Sequence, residues 1–152
     1  MRKLSDRVRS GSGLGRTHLG LMWIGLALGA WQAIATDSEK AGGLYSEVQA
    51  ARGESLYQQH CSACHGARLQ GSPAAPLTGD AFRARWEDRR HTLDDLYYII
   101  RSLMPNSAPG SLSKAQYADV VAYILKVNGY PAGAEELVPN AAAMKTVTLQ
   151  PH

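Results

Sequence analysis

The sequence predicts an all-α domain with long connections, and three observations carry that prediction. Two segments behind capping boxes repeat apolar residues at i, i+3, i+4 and i+7, no stretch sustains a period-two alternation, and no internal repeat is present. With 152 residues, 45% hydrophobic and 19% charged, the chain has room for one globular domain and excludes a multidomain enzyme.

The elements follow in order. Residues 1–18 carry Arg2, Lys3, Arg7, Arg9 and Arg16 against Asp6, a net charge of +4 that leaves −1 for everything after them. The formal charge of +3 and the pI near 9.0 therefore belong to a leader, and no nucleic-acid partner is expected. The apolar run Leu19–Ala30 and the small-x-small triplet Ala33-Ile34-Ala35 make residues 1–35 an export signal, with cleavage after Ala35. An uncleaved anchor is the alternative, but Leu19–Ala35 holds three glycines and Gln32 and falls short of the ~20 residues a spanning helix needs. With no early twin-arginine pair, the general secretory route is expected and the body lies in the periplasm.

Residues 36–44 are polar and glycine-containing and read as a mobile mature terminus; structure is expected from Tyr45. The segment through His60 places Gly53, Tyr57 and Cys61 on one helical face. A glycine there costs about 1 kcal/mol against alanine, so Gly53 is expected to permit close approach of another helix. Residues 66–79 read as loop. Thr92-Leu-Asp-Asp95 opens a second helix with Leu96, Ile99, Ile100 and Leu103 in register, ended by Pro105. Ser113-Lys-Ala-Gln116 opens a third with Tyr117, Val120, Val121 and Ile124, stopped at Asn128-Gly129. The folded domain is expected over 45–137 and a tail over 138–152. Three modest helices and one phenylalanine make a thin core, which a large buried cofactor would complete.

The chemical motif is Cys61-Ser-Ala-Cys64-His65, the attachment sequence for c-type haem. Two thiols three positions apart can add to the two vinyl groups on one edge of a porphyrin, and the histidine that follows is carried under the ring, where one imidazole nitrogen reaches iron. The other nitrogen should donate to a backbone carbonyl, that of Pro76 or a neighbour in Ala74–Leu77. Three other readings compete: a redox dithiol, which would want a βαβ pattern; a zinc site of His60, Cys61, Cys64 and His65, crowded into six residues; and a structural disulfide. Two cysteines are too few for a disulfide scaffold and are the number that one haem requires.

A sixth iron ligand is sought downstream. Met104 stands where a helix meets the proline-rich stretch Pro105–Gly110, whose stiffness would lower the entropy lost in presenting a soft thioether. Its alternative is to fill core space. Met144 lies in an alanine-rich tail, His60 is expected to face solvent, and His91 is the bis-histidine rival.

On these residues the chain resembles the class I cytochromes c over about residues 45–137, and especially the small cytochromes that accompany bacterial quinoprotein alcohol dehydrogenases. Gly53–Gly66, Pro76–Phe82 with Trp86, and Met104-Pro105 through Pro109–Ser113, Tyr117–Leu125 and Asn128–Gly133 carry the likeness. The resemblance implies the class I cytochrome c fold, with the first and last helices crossing near Gly53 and Tyr57 against Val120 and Tyr123. It implies one haem c held by Cys61 and Cys64, with iron between His65 and Met104. It also implies a loop carrying Trp86, Arg83 and Arg85 around the haem propionates; Arg89 and Arg90 read as solvated. The family's proline after the motif loop is offset by one position here, so Ala75 and Pro76 both qualify to supply the carbonyl. The implied function is a periplasmic electron carrier, not an enzyme. It would take one electron from a dehydrogenase, with a quinoprotein among the candidates, and pass it to a terminal oxidase or another cytochrome. Two alternatives stand beside it: a haem enzyme or gas sensor with labile Met ligation, and a permanent cytochrome subunit of a dehydrogenase complex docked through residues 132–152.

Overall fold

In the computed structural model, which describes residues 42–150, Ser46 opens helix α1 (Glu47–His60), its hydroxyl accepting from Gln49 N at 3.1 Å. A turn at Cys61 leads into the single turn α2 (Ser62–His65). Helices α3 (Gly79–Trp86), α4 (Leu93–Leu103), α5 (Lys114–Val127) and α6 (Ala141–Met144) follow, and a lone Thr92–Thr148 bridge is the one β feature among the described residues. Both capping boxes form: Thr92 with Asp95 on α4, and Ser113 with Gln116 on α5.

The core is organised by α1 packing across α5. A Cβ on Gly53 would lie 1.8 Å from Asp119 O, so only glycine lets the two backbones approach this closely. One turn on, the Tyr57 and Tyr123 rings meet at a tilt with centroids 5.4 Å apart. The contact falls on Asp119 and Tyr123, one residue from the Val120 of the expectation. At its edge Arg52 forks onto Asp119 (3.1 and 3.0 Å) and Glu136 (2.8 and 2.9 Å), joining α1, α5 and the chain beyond. Leu93, Leu96 and Ile100 bring the apolar face of α4 into the same core.

Two expectations change. The loop expected around Trp86 is helix α3, so Arg83, Arg85 and Trp86 ride on a helix. Eight residues with a single buried i, i+4 pair, Phe82 and Trp86, show too little periodicity to read in sequence and are held by packing. The segment expected as a tail over 138–152, and as an arm over 132–152, packs on the body as far as it is described. Leu137, Met144 and Leu149 are buried, the buried Gln49 amide bonds both the N–H and the carbonyl of Leu137 (2.7 and 3.0 Å), and Leu93 N donates to Val147 O at 2.8 Å. The segment up to residue 150 is thus part of the folded body, because its three apolar side chains gain more by burial than by exposure. At the other end, Gly43 lies against Ala132 and Gly133, and Tyr45 O accepts from Gly133 N at 2.7 Å. The export signal over 1–35 and residues 36–41 of the expected mobile terminus lie outside the described residues. Among the described residues, no helix is long and apolar enough to cross a membrane.

Candidate functional site

The attachment motif is shaped by the continuation of α1 into α2. His65 N bonds Cys61 O at 2.9 Å, and Ser62 Oγ reaches back to Gln58 O at 2.7 Å, so Cys61, Cys64 and His65 sit on one helical turn. The chain then folds back under it. Tyr57 OH donates to Gly66 O (2.6 Å), Gly71 N to His65 O (2.7 Å) and Ala74 N to Cys64 O (2.9 Å). Gly71 makes this return possible: its φ of +85° suits glycine, and a Cβ would lie 2.9 Å from Ala74 O.

The return loop brings Ala75 O to 2.7 Å from His65 Nδ1. The carbonyl is therefore that of Ala75 and not of Pro76, which instead lines the neighbouring cavity. With Nδ1 donating to a carbonyl, Nε2 is the nitrogen left for a metal. His65 is itself buried.

Cys61, Cys64, His65, Pro76, Arg85, Trp86 and Met104 all line one cavity of about 840 Å³. That volume lies in the ~300–1,000 Å³ range of cofactor pockets. The remaining wall is largely apolar, with Phe82 from α3, Leu96, Ile99 and Ile100 from α4, and Val120 and Ile124 from α5. A nearly flat, apolar macrocycle with polar edges suits such a wall. The donor set suits haem iron, pairing a neutral imidazole oriented by a backbone carbonyl with a soft thioether. Among the described residues Arg85 is the one arginine or lysine in the lining, and its guanidinium stacks on Trp86 at 5.1 Å.

Three sequence candidates stand elsewhere. Arg83 does not line the cavity and pairs with Asp80 one turn back on α3. His91 is outside the lining. Its Nδ1 lies 3.0 Å from Asp88 Oδ1 and its ring meets the edge of Trp86 at 5.3 Å, so it supports the cavity wall from behind. Backbone N–H groups of Arg90 and His91 and the His91 side chain hold the Asp88 carboxyl down to about 2, with the Arg90 contact first. Met144 is buried at the end of α6 and is not among the residues lining the cavity. His60 is exposed at the cavity edge.

The geometry also weighs the rival uses of the motif. Among the described residues, no three His, Cys, Asp or Glu side chains converge as a metal-ion site, so the four-ligand zinc arrangement is not assembled. Burial, aided by Cys64, pushes the Cys61 thiol up to about 11, opposite to the depressed value of a reactive redox thiol. Sequence reasoning missed Phe82 as a cavity wall, and it placed Tyr117 in a helical register without its contact to the Met104 carbonyl, to which the Tyr117 hydroxyl donates at 2.7 Å.

Residues 48–124 match the family described as cytochrome C oxidase, cbb3-type, subunit III, over just over half of the chain. A thiosulfate dehydrogenase from Stutzerimonas stutzeri (strain A1501) is 33% identical over 103 residues, covering 59% of this chain. The chain spans 33% of that relative's length. The crystal structure of the sulfane dehydrogenase SoxCD from Paracoccus pantotrophus aligns with a TM-score of 0.45 at 22% identity, over 90% of this chain and 68% of that one. The attachment motif, the helical body and the family match converge: the chain belongs to the family described as cytochrome C oxidase, cbb3-type, subunit III, and is a class I c-type cytochrome.

Proposed function

We propose that the protein is an exported, periplasmic single-haem carrier. In this reading Cys61 and Cys64 hold haem c by thioether bonds, and His65 Nε2 and the Met104 thioether are the iron ligands. The haem, when bound, would supply a one-electron ferrous/ferric couple, and a His/Met ligand pair would favour its reduced state. The chain's own residues do the rest. Ala75 O fixes the imidazole tautomer, the apolar wall from α3, α4 and α5 excludes water, and Arg85 with Trp86 offers donors to propionate carboxylates. Arg83, paired with Asp80, has a weaker claim to that role. The observation that carries the reading is one cavity lined by Cys61, Cys64 and His65 together with Met104. Two protein ligands leave no open iron position, which favours carriage over substrate or gas chemistry.

A dehydrogenase is the proposed electron donor. The likeness to a relative named thiosulfate dehydrogenase supports that class of donor, with a quinoprotein as the narrower class raised by the sequence. The proposed acceptor is a terminal oxidase or another cytochrome. A permanent place in a dehydrogenase complex is the second reading, supported by the likeness to a relative that is itself named a dehydrogenase. Absorption spectroscopy of the purified protein tests the ligand set. The weak near-infrared band of Met-ligated ferric haem should be present and should vanish in Met104→Ala. A high-spin native spectrum with rapid carbon monoxide binding would overturn the carrier reading. Co-purification of a dehydrogenase from a native periplasmic or membrane fraction separates a free carrier from a permanent subunit.

A further inference from the structure

Two tyrosine hydroxyls cross between α4 and α5. Tyr97, buried on α4, donates to Lys114 O in the first turn of α5 at 3.1 Å. Tyr117, buried on α5, donates to Met104 O at the end of α4 at 2.7 Å, and its oxygen also accepts from Leu112 N at 3.4 Å. One hydroxyl therefore touches both ends of the 104–112 loop. Apart from Met104 N to Ile100 O (3.0 Å), which ends α4, the other hydrogen bonds of that loop are internal: Ala108 N to Pro105 O (2.8 Å), Ser111 N to Ala108 O (3.3 Å) and Gly110 N to Met104 O (3.4 Å). The internal bonds give the loop a shape, the Tyr117 hydroxyl is its hydrogen-bonded tie to α5, and residues 106–111 are exposed.

We propose that Tyr117 is the positioning residue for Met104, fixing the backbone from which the thioether enters the cavity. The inference rests on Met104 being an iron ligand. A methionine has three rotatable bonds, so its side chain adapts readily but is held in place only as well as its backbone is. The Met104 carbonyl is pinned to the hydroxyl of a buried tyrosine on α5, and α5 also supplies Val120 and Ile124 to the same cavity wall. Met104 and the α5 side of the wall are thereby referred to one helix. Removing the hydroxyl leaves the Met104 carbonyl without its shorter hydrogen bond and takes one tie from each end of the loop.

The test compares Tyr117→Phe with Tyr97→Phe in the haem-loaded protein. Both delete a hydroxyl bridging α4 and α5, but only Tyr117 touches Met104. The readouts are the near-infrared Met–ferric band and the affinity of the ferric protein for imidazole, which competes with Met104. Tyr117→Phe should weaken the band and tighten imidazole binding roughly three- to tenfold, the worth of one buried hydrogen bond, while Tyr97→Phe keeps both at wild-type values. A Tyr117→Phe protein indistinguishable from wild type, or a Tyr97→Phe protein that shifts as far, overturns the proposal. Should Tyr117→Phe fail to retain haem, proton NMR of the wild-type protein decides. A slowly exchanging Tyr117 hydroxyl proton close to the Met104 α-proton supports the brace, and its absence overturns it. If wild type shows no Met104-dependent band, the ligand reading itself fails and takes this inference with it, an outcome distinct from a wild-type band that Tyr117→Phe leaves intact.

Discussion

His65 and Met104 line the same cavity, yet the chain holds them by opposite means. Every contact that sets His65 comes from residues 57–75: the α2 turn, the Gly71 return and the Ala75 carbonyl. Met104 is set by the capped helix that precedes it and by Tyr117, which follows it across a loop on a different helix. The first arrangement closes short loops and forms with little entropic cost; the second waits for α4 and α5 to dock. The difference teaches where the site is robust. A change near His65 should act locally, whereas Met104 should respond to anything that disturbs helix packing.

The largest expected effect breaks the local side. Cys61→Ala combined with Cys64→Ala should abolish covalently retained haem, read as loss of haem staining after denaturing electrophoresis. Retention of the stain would sink the attachment reading. Next, Gly53→Ala strikes the packing on which both sides depend, since its Cβ would meet Asp119 O at 1.8 Å. The helices must part, and a loss of about 3 kcal/mol is expected in chemical denaturation despite the gain in helix propensity. A stabilised variant would show that the two helices cross less tightly than the Gly53–Asp119 approach requires.

Smaller effects sharpen the Met104 side. Thr92→Ala removes the cap from the helix that ends in Met104 and should cost about 1 kcal/mol, with the haem spectrum unchanged. An altered near-infrared band in this variant would mean that the cap, and not the brace at the far end, sets the methionine. The smallest effect is a pH dependence. The Thr92 N–H, followed by its hydroxyl, lowers the Asp95 carboxyl from its ordinary value. Its contribution is therefore complete above the unfolded carboxylate value, about 4. It is lost as pH falls through the lower folded value, because the unfolded chain takes up the proton first. Asp95→Asn should flatten this part of the acid limb of stability below pH ~4. An unchanged acid limb in denaturant titrations from pH ~5 to ~2 would remove Asp95 from the account.

Much of the site is legible in the order of the residues. The motif at 61–65 is local chemistry, the two capping boxes mark helix starts, and Leu96, Ile99 and Ile100 announce a buried face by their spacing. Gly53 is legible as a close approach, although its partner, the Asp119 carbonyl, is not. Helix α3 stays hidden because eight residues carry only one buried apolar pair, and the burial of Met144 and Leu149 because an alanine-rich tail shows no amphipathic pattern.

The sequence by itself therefore determined the attachment motif and the helical class, which are written in spacings of a few residues, and it named His65 and Met104 as candidate iron ligands. Only the tertiary structure decided which carbonyl meets His65, which arginine lines the cavity, where the C-terminal segment packs and which hydroxyl meets the Met104 carbonyl. Those outcomes depend on one-residue offsets in loop return and on which helix faces which. Packing of distant segments sets both, and local periodicity carries no information about them.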